Sequence, residues 1–473
     1  MSTTRKIAHN TIIQMTGKVI STLLGLVAIA MMTRYLGVEQ FGWYVTTITF
    51  LLFVGILVDF GITPVTAAMI GEGKYDETKL FKNLFAFRFF TAVFFLGLAP
   101  FVALLFHYPV EVKIAISFTT ISFLAIAMNQ VLVGFYQSKL KMYIQAIGEV
   151  TGRIVLVIGL WFFIKQGSSF LPIMGVVATA SVVYTLVMLI WAWKKYEVGF
   201  AFDKHIWKAI MTKMWPIAIS IIFNVVYLKG DTLLLTLFRS QEEVGIYGAA
   251  YRVIDILAQT AMMLMGVMLP LLAFSWSKKL KEEFRHRYQL SFDSMMLLAV
   301  PMTIGTIVLA HKIMSFVAGE KFISSGRPLQ ILSLAVFGVF VGAVFGHVAV
   351  AIDKQKQTMW IYISNAVITL TGYLIFIPKF GMYGAAWMTV FSELYAGTLL
   401  FLTIRHYAKE NLGMKIFSKI LISGIFMGSV LYLLQDLHVL LLIIIGMATY
   451  GFAIVGTQAI SKNTIKEILT LKP

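Results

Sequence analysis

About fourteen hydrophobic stretches, each long enough to cross a bilayer, follow one another from about Ile12 to about Ile460. Only short hydrophilic connectors separate them. A spanning helix needs about 20 mostly apolar residues at 1.5 Å rise each. The stretches begin near residues 8, 41, 81, 112, 143, 171, 208, 244, 288, 327, 357, 382, 416 and 437. Lipid is therefore the solvent for most of this chain, and the expected fold class is an all-α polytopic membrane protein. Of the 473 residues 59% are hydrophobic and 13% are charged, against about 25% charged in a soluble globular domain. A large soluble core would also need long polar surface stretches, and the sequence has none. Arg5 and Lys6 run into a long segment without a small-residue cleavage site, which reads as a retained first helix.

The net charge of +17 could suggest nucleic acid, but its distribution argues otherwise. One alternating set of connectors is rich in cations, among them Lys74, Lys79, Lys82, Lys139, Lys141, Lys194, Lys204, Lys208, Lys278, Lys279, Lys281, Lys354 and Lys356. The other set holds only Arg34, Lys113, Lys165, Arg239, Lys321, Arg327 and Lys379. Lys and Arg accumulate in cytoplasmic loops. Both termini are therefore expected in the cytoplasm, with the excess charge available to anionic lipid. No nucleic-acid partner is expected. Cysteine is absent, which excludes disulfides, thiol catalysis and thiolate metal sites.

The chain reads as two repeats. Phe41-Gly42-Trp43-Tyr44 matches Val244-Gly245-Ile246-Tyr247. Lys139-Leu140-Lys141 matches Lys354-Gln355-Lys356, and Lys165-Gln166-Gly167 matches Lys379-Phe380-Gly381. The fifth span thus corresponds to the eleventh. Six spans per half is an even number, so both halves enter the membrane in the same direction. Transporters with parallel repeats hold substrate between the halves near the midplane. The expected organisation is an N-terminal lobe over 1–200, a C-terminal lobe over 201–410, and a helix pair with a cytoplasmic tail over 411–473.

These residues resemble the polysaccharide-biosynthesis flippases of the multidrug/oligosaccharidyl-lipid/polysaccharide exporter superfamily. The resemblance runs through Arg34, Leu36-Gly37, Phe41-Gly42 and Tyr44, then Asp59-Phe60-Gly61. It continues through Pro216, Asp231, Gly245-Ile246-Tyr247, Tyr251, Leu269-Pro270, Pro301 and Gly319-Glu320-Lys321-Phe322. It implies two six-helix lobes that open alternately to each side. It also implies a central cavity lined by helices one, two, seven and eight, with the last helix pair forming a groove for a lipid tail. The implied substrate is an undecaprenyl-diphosphate-linked sugar repeat unit.

Polar groups inside the spans mark candidate sites. Thr11, Gln14, Lys18 and Ser21 share one stripe of span one, and Ser220, Asn224, Tyr227 and Asp231 share one of span seven. Arg252, Asp255 and Gln259 share a face of span eight, and Gln145, Glu149 and Arg153 a face of span five. The spacing favours an ion pair Glu149–Arg153; Arg252 and Asp255, three apart, can also pair, the alternative being that Arg252 contacts substrate. Arg88 has no carboxylate one turn away on its own helix. Each cation at mid-helix costs about 2.5–3.5 kcal/mol on the insertion scale, so water, a partner or a ligand must compensate. A guanidinium fork suits phosphate oxygens. Lys18, Arg88, Arg252, Arg153, Gln14 and Asn224 are accordingly the candidate binding residues for a diphosphate and its sugars. Asp231, Asp255, Asp59 and Glu393 are the candidate ion-coupling acids, and His347 reads as a packing residue.

No Gly-rich Lys-Ser/Thr phosphate loop, His-Glu-x-x-His or Gly-x-Ser-x-Gly is present. The expectation is therefore a transporter without catalytic residues, metal or cofactor. It would be a flippase in the cytoplasmic (inner) membrane carrying a polyprenyl-diphosphate-linked oligosaccharide to the outer leaflet. Membrane lipids surround it, and a polysaccharide polymerase is a candidate partner. Coupling to H+, Na+ or the membrane potential stays open, as does the sugar. The competing functions are a multidrug or cation antiporter of the same superfamily and a peptidoglycan-precursor flippase.

Overall fold

The computed structural model describes residues 3–59, 61–194 and 196–459, with the side chains at 3–12, 15, 57, 216, 219–224 and 227–228 outside the description. Among the described residues there is no strand. The helices are α1 (Thr3–Asp59), α2 (Ile62–Glu72), α3 (Glu77–Leu104), α4 (Val110–Ser138), α5 (Tyr143–Lys165), α6 (Phe170–Trp193), α7 (Lys204–Phe238), α8 (Gln241–Ser277), α9 (Lys281–Ala318), α10 (Gly326–Ala351), α11 (Gln355–Ala408), α12 (Lys415–Leu433) and α13 (Val439–Gly456). Eleven helical segments among the described residues are long and apolar enough to cross a membrane.

Two of these helices are too long to be one span. At 1.5 Å per residue α1 and α11 would each measure about 80–85 Å, far beyond a hydrocarbon core of about 30 Å. Each is broken by a glycine with positive φ, Gly37 (φ 71°, ψ −175°) and Gly381 (φ 56°, ψ −137°). Only glycine reaches such angles without a steric cost from Cβ. Each helix thus supplies two spans, at the places where the hydrophobic stretches near 8 and 41 and near 357 and 382 meet. The glycines of the two Lys-x-Gly motifs, Gly167 at the end of α5 and Gly381, both have positive φ.

The described residues form two compact units, one running to Gly245 and the other from Ile246. In the first, α5 packs on α1 and α6, α4 on α3, α6, α2 and α1, and α7 on α1 and α3. Phe81, Leu84, Leu132, Phe135, Tyr136 and Met188 form a fully buried core there. At α1 and the start of α8 the Gly-x-Tyr glycines meet. A Cβ on Gly42 would lie 1.8 Å from the Gln241 carbonyl oxygen, and one on Gly245 would lie 2.0 Å from that of Val38. Thr46 Oγ1 donates to Gln241 Oε1 at 2.6 Å beside this contact.

The connectors of this unit are tied by ion pairs. Lys79 pairs with Asp203 and Lys82 with Glu197, both at 2.6 Å, and Lys139 reaches Glu77 and Lys213 reaches Glu72. Asp203 also caps α7, accepting from the amides of His205 and Ile206. The Lys79 ammonium first, and then the Ile206 amide, hold the Asp203 carboxyl below its ordinary range.

In the second unit α10 packs on α9 and α11, and α12 and α13 pack on α9. Gly424 and Gly428 let α12 lie close against Val300 and Ile304 of α9. Leu309, Met427, Leu431 and Leu442 fill that junction.

Candidate substrate-binding site

The α1–α5 interface gathers charge at membrane depth. Its ladder on α1 is Gly17, Ser21 and Gly25, spaced four apart so that all lie on one face. Opposite them on α5 stand Ala146, Glu149 and Arg153. A Cβ on Gly17 would lie 2.7 Å from Ala146 Cβ, and one on Gly25 would lie 3.7 Å from the Arg153 Cζ. The missing side chain at Gly17 therefore lets α5 approach closely at Ala146, while Gly25 stands in ordinary contact with the Arg153 guanidinium. Between them, Ser21 Oγ donates to Glu149 Oε1 at 2.9 Å and Lys18 Nζ donates to the same oxygen at 3.1 Å.

The expected pair of Glu149 with Arg153, four residues apart on one helix, is not what forms. Glu149 turns to α1 because the Ser21 hydroxyl and the Lys18 ammonium together satisfy it better than one neighbour on its own helix. Arg153 is left exposed over Gly25, and it makes no ion pair or hydrogen bond among the described residues. It stands ten residues from the start and twelve from the end of α5, or about 15 and 18 Å along the axis. The Lys18 side chain is 44% exposed and that of Glu149 19%. Beside this cluster on α5, Gly148 and Gly152 let Tyr184 of α6 pack against the helix. The Lys18, Glu149 and Arg153 side chains sum to one positive charge. Such a cluster can grip an anion: Arg153 offers its full fork, and Lys18 can share its donors between Glu149 and a ligand.

The other candidates fall elsewhere. Gln14 is an exposed residue one turn before Lys18. Arg88 is 1% exposed and committed to protein acceptors: its Nε donates to the Ala127 carbonyl at 3.2 Å, and its terminal nitrogens donate to the Val58 carbonyl and to Gln130 Oε1. Asp59 lines, with Arg88 and Gln130, a cavity of about 100 Å³. Arg252 and Asp255 pair within α8 as their spacing allows, at 3.9 Å, each about one-third exposed. Asp231 is fully buried and accepts from the Thr232 amide and hydroxyl. Glu393 is 7% exposed on α11, its Cβ beside Gly338 of α10. His347 Nδ1 pairs with the Ala343 carbonyl one turn back, at 2.7 Å. The Asn224 side chain lies outside the described residues. Among the described residues no three acidic, histidine or cysteine side chains converge as metal ligands would. Gly25 and Gln130 escaped the reading of polar stripes. The four-residue spacing Gly17–Ser21–Gly25 is the signal that could have found the first; nothing in the sequence points to Gln130.

An all-helical bundle with two glycine-broken double spans and charges buried at mid-helix defines a polytopic membrane protein. The signature of the family described as "Polysaccharide biosynthesis protein" matches residues 7–276, and the chain belongs to that family. The MatE signature matches residues 216–374. The chain is 23% identical over 262 residues to the probable low-salt glycan biosynthesis flippase Agl15 of Haloferax volcanii, covering 54% of this chain and 56% of that protein. It is 22% identical over 242 residues to the uncharacterized membrane protein MJ1068 of Methanocaldococcus jannaschii, covering 50% and 48%. The matches thus span about half the length of these curated relatives. Its fold is similar to that of the lipid II flippase MurJ in an inward closed conformation, with a TM-score of 0.80 over 98% of this chain and all of that one at 16% identity. An inward-facing multidrug resistance MATE transporter of the MOP superfamily gives a TM-score of 0.69 over 84% and 98% at 13% identity. The MOP superfamily fold is thereby established.

Proposed function

We propose that this protein is a flippase that carries a lipid-diphosphate-linked glycan from the cytoplasmic to the outer leaflet of the cell membrane, for assembly of a surface polysaccharide. The observation that carries the reading is Arg153, an exposed guanidinium at mid-helix without an acceptor among the described residues. A cation left facing hydrocarbon there would cost about 2.5–3.5 kcal/mol, so water or an anion must face it. Arg153 and Lys18 hold the diphosphate, with Gln14 one turn away toward the sugars. The polyprenyl tail stays in lipid. The glycan flippase among its relatives and its own family support a glycan-bearing lipid as cargo.

The lobes, 1–200 and 201–410, are the expected repeats of this reading, and Arg252 and Asn224 remain candidate headgroup residues. Asp59, Asp231, Asp255 and Glu393 are the candidate coupling acids. Both termini face the cytoplasm, as the lysine-rich connectors favour. An undecaprenyl carrier and an O-antigen-type repeat unit are the substrate this reading expects, with a polymerase acting next.

The test is reconstitution in proteoliposomes with a fluorescent diphosphate-linked oligosaccharide and a drug cation in parallel. Movement of the glycan lipid alone supports the reading. Movement of the cation alone replaces it with the antiporter that the MatE match brings into view.

A further inference from the structure

The second span is interrupted. Its first part, within α1, ends at Asp59, Gly61 is left-handed (φ 73°, ψ 32°), and α2 resumes at Ile62. A helix that stops leaves its last carbonyls without amide partners. In lipid such groups must be satisfied inside the protein. Val58 is one of these carbonyls, and Arg88 of α3 donates to it. The same guanidinium donates to the Ala127 carbonyl and the Gln130 side chain of α4. The end of α1 is thus fastened to α3 and to one stretch of α4.

The start of α2 is fastened to that same stretch. Thr63 Oγ1 donates to the Gln130 carbonyl at 3.0 Å. A Cβ on Gly134 would lie 2.4 Å from the Thr63 carbonyl oxygen, so α2 sits directly on the α4 backbone. Both sides of the break are therefore tied to residues 127–134 of α4, one by Arg88 and one by Thr63. An arginine presents five N–H donors; three are used here, and Arg88 also lines the small cavity with Asp59.

We propose that Arg88 is a positioning residue for transport. It holds the broken geometry of the second span and so sets the balance between conformations, without itself gripping the headgroup. The inference rests on the transport reading, but its structural half is measurable without any substrate. A continuous helix would satisfy Val58 through its own amide ladder. Without Arg88 the break loses its tie to α3 and α4 and should sample a wider range of bends toward the continuous form, which Pro64 opposes.

The chain contains no cysteine, so Phe53→Cys and Ala68→Cys place one spin label on each side of the break. A continuous helix would set these α-carbons about 22 Å apart. Pulsed electron resonance in lipid nanodiscs reads the distance distribution. Arg88→Gln is expected to broaden it about twofold and to slow glycan-lipid translocation about tenfold, as when the competent form falls to a tenth. Because Arg153 and Lys18 lie outside the break, both forms bind the anion equally, and affinity for a fluorescent polyprenyl diphosphate should stay within about twofold. Arg88→Lys keeps the charge but not the fork, and should give an intermediate width and rate. Should Arg88→Gln fail to insert, Arg88→Lys decides alone: a broadened distribution supports the proposal. A wild-type distribution in either inserted variant overturns it, whatever the effect on binding. If the distribution broadens but no glycan lipid moves even in the wild type, the transport reading fails while the role of Arg88 in holding the break stands.

Discussion

Replacing Arg153 by Gln removes its guanidinium from the α1–α5 interface and leaves the Lys18–Glu149 pair in place. Arg153 has no protein acceptor to release among the described residues, so nearly all of its hydrogen bonding is available to an anion. A charge-assisted hydrogen bond contributes about 1.5–3 kcal/mol, which corresponds to about 10- to 150-fold in affinity. Lys18→Gln should cost less, because Lys18 must share its donors with Glu149 at 3.1 Å. Glu149→Gln should act in the opposite direction. A partly exposed pair of this kind contributes about 1 kcal/mol at most, so freeing Lys18 should tighten anion binding by up to about fivefold. The assay is fluorescence anisotropy of a labelled polyprenyl diphosphate with each variant in nanodiscs at fixed salt. The order of affinity should be Glu149→Gln, wild type, Lys18→Gln, Arg153→Gln. Wild-type affinity in Arg153→Gln, or weaker binding in Glu149→Gln, would refute the assignment of the anion to this interface.

The Gly42 and Gly245 contact leaves no room for Cβ, and the atoms in the way are backbone. Gly42→Ala and Gly245→Ala should each destabilise the protein by about 1–3 kcal/mol, as overpacking does, seen as a lower midpoint of thermal unfolding in detergent. For Asp203, the depressed folded pKa means that its stabilising contribution is present above the unfolded value of about 4 and is lost as pH falls through the folded value. The gap in unfolding midpoint between wild type and Asp203→Ala should therefore be full at neutral pH and shrink under acid; a gap that widens on acidification contradicts the Lys79 pairing. An anionic headgroup leaving an inside-negative compartment gains about 2.3 kcal/mol per charge per 100 mV. Collapsing the potential across vesicles should slow outward movement, and an unchanged rate removes the potential as a driving force.

The fold was legible because lipid imposes a long-range rule on the sequence. Spans of about 20 apolar residues placed helix starts such as those at Tyr143, Phe170 and Gly326 within a residue or two. Gly37 and Gly381 could be read as breaks because the apolar stretches on either side would together overrun a bilayer. The site was less legible. The polar stripes contain Lys18, Ser21, Glu149 and Arg153, but helical spacing points Glu149 to the wrong partner, because it reports only neighbours on the same helix. Whether a carboxylate prefers its own helix or the next one depends on interhelical approach, which here turns on Gly17. Arg88 illustrates the same limit. Its acceptors are two main-chain carbonyls and an amide on other helices, and backbone acceptors carry no residue signature at all.

The account stands most directly on leaflet-resolved translocation of a fluorescent diphosphate-linked oligosaccharide by the purified protein in proteoliposomes, with Arg153→Gln inserted at equal density beside it. It predicts protein-dependent movement by the wild type and about a tenfold or greater loss in the variant. Equal rates in the two, or movement no faster than in protein-free vesicles, would contradict it.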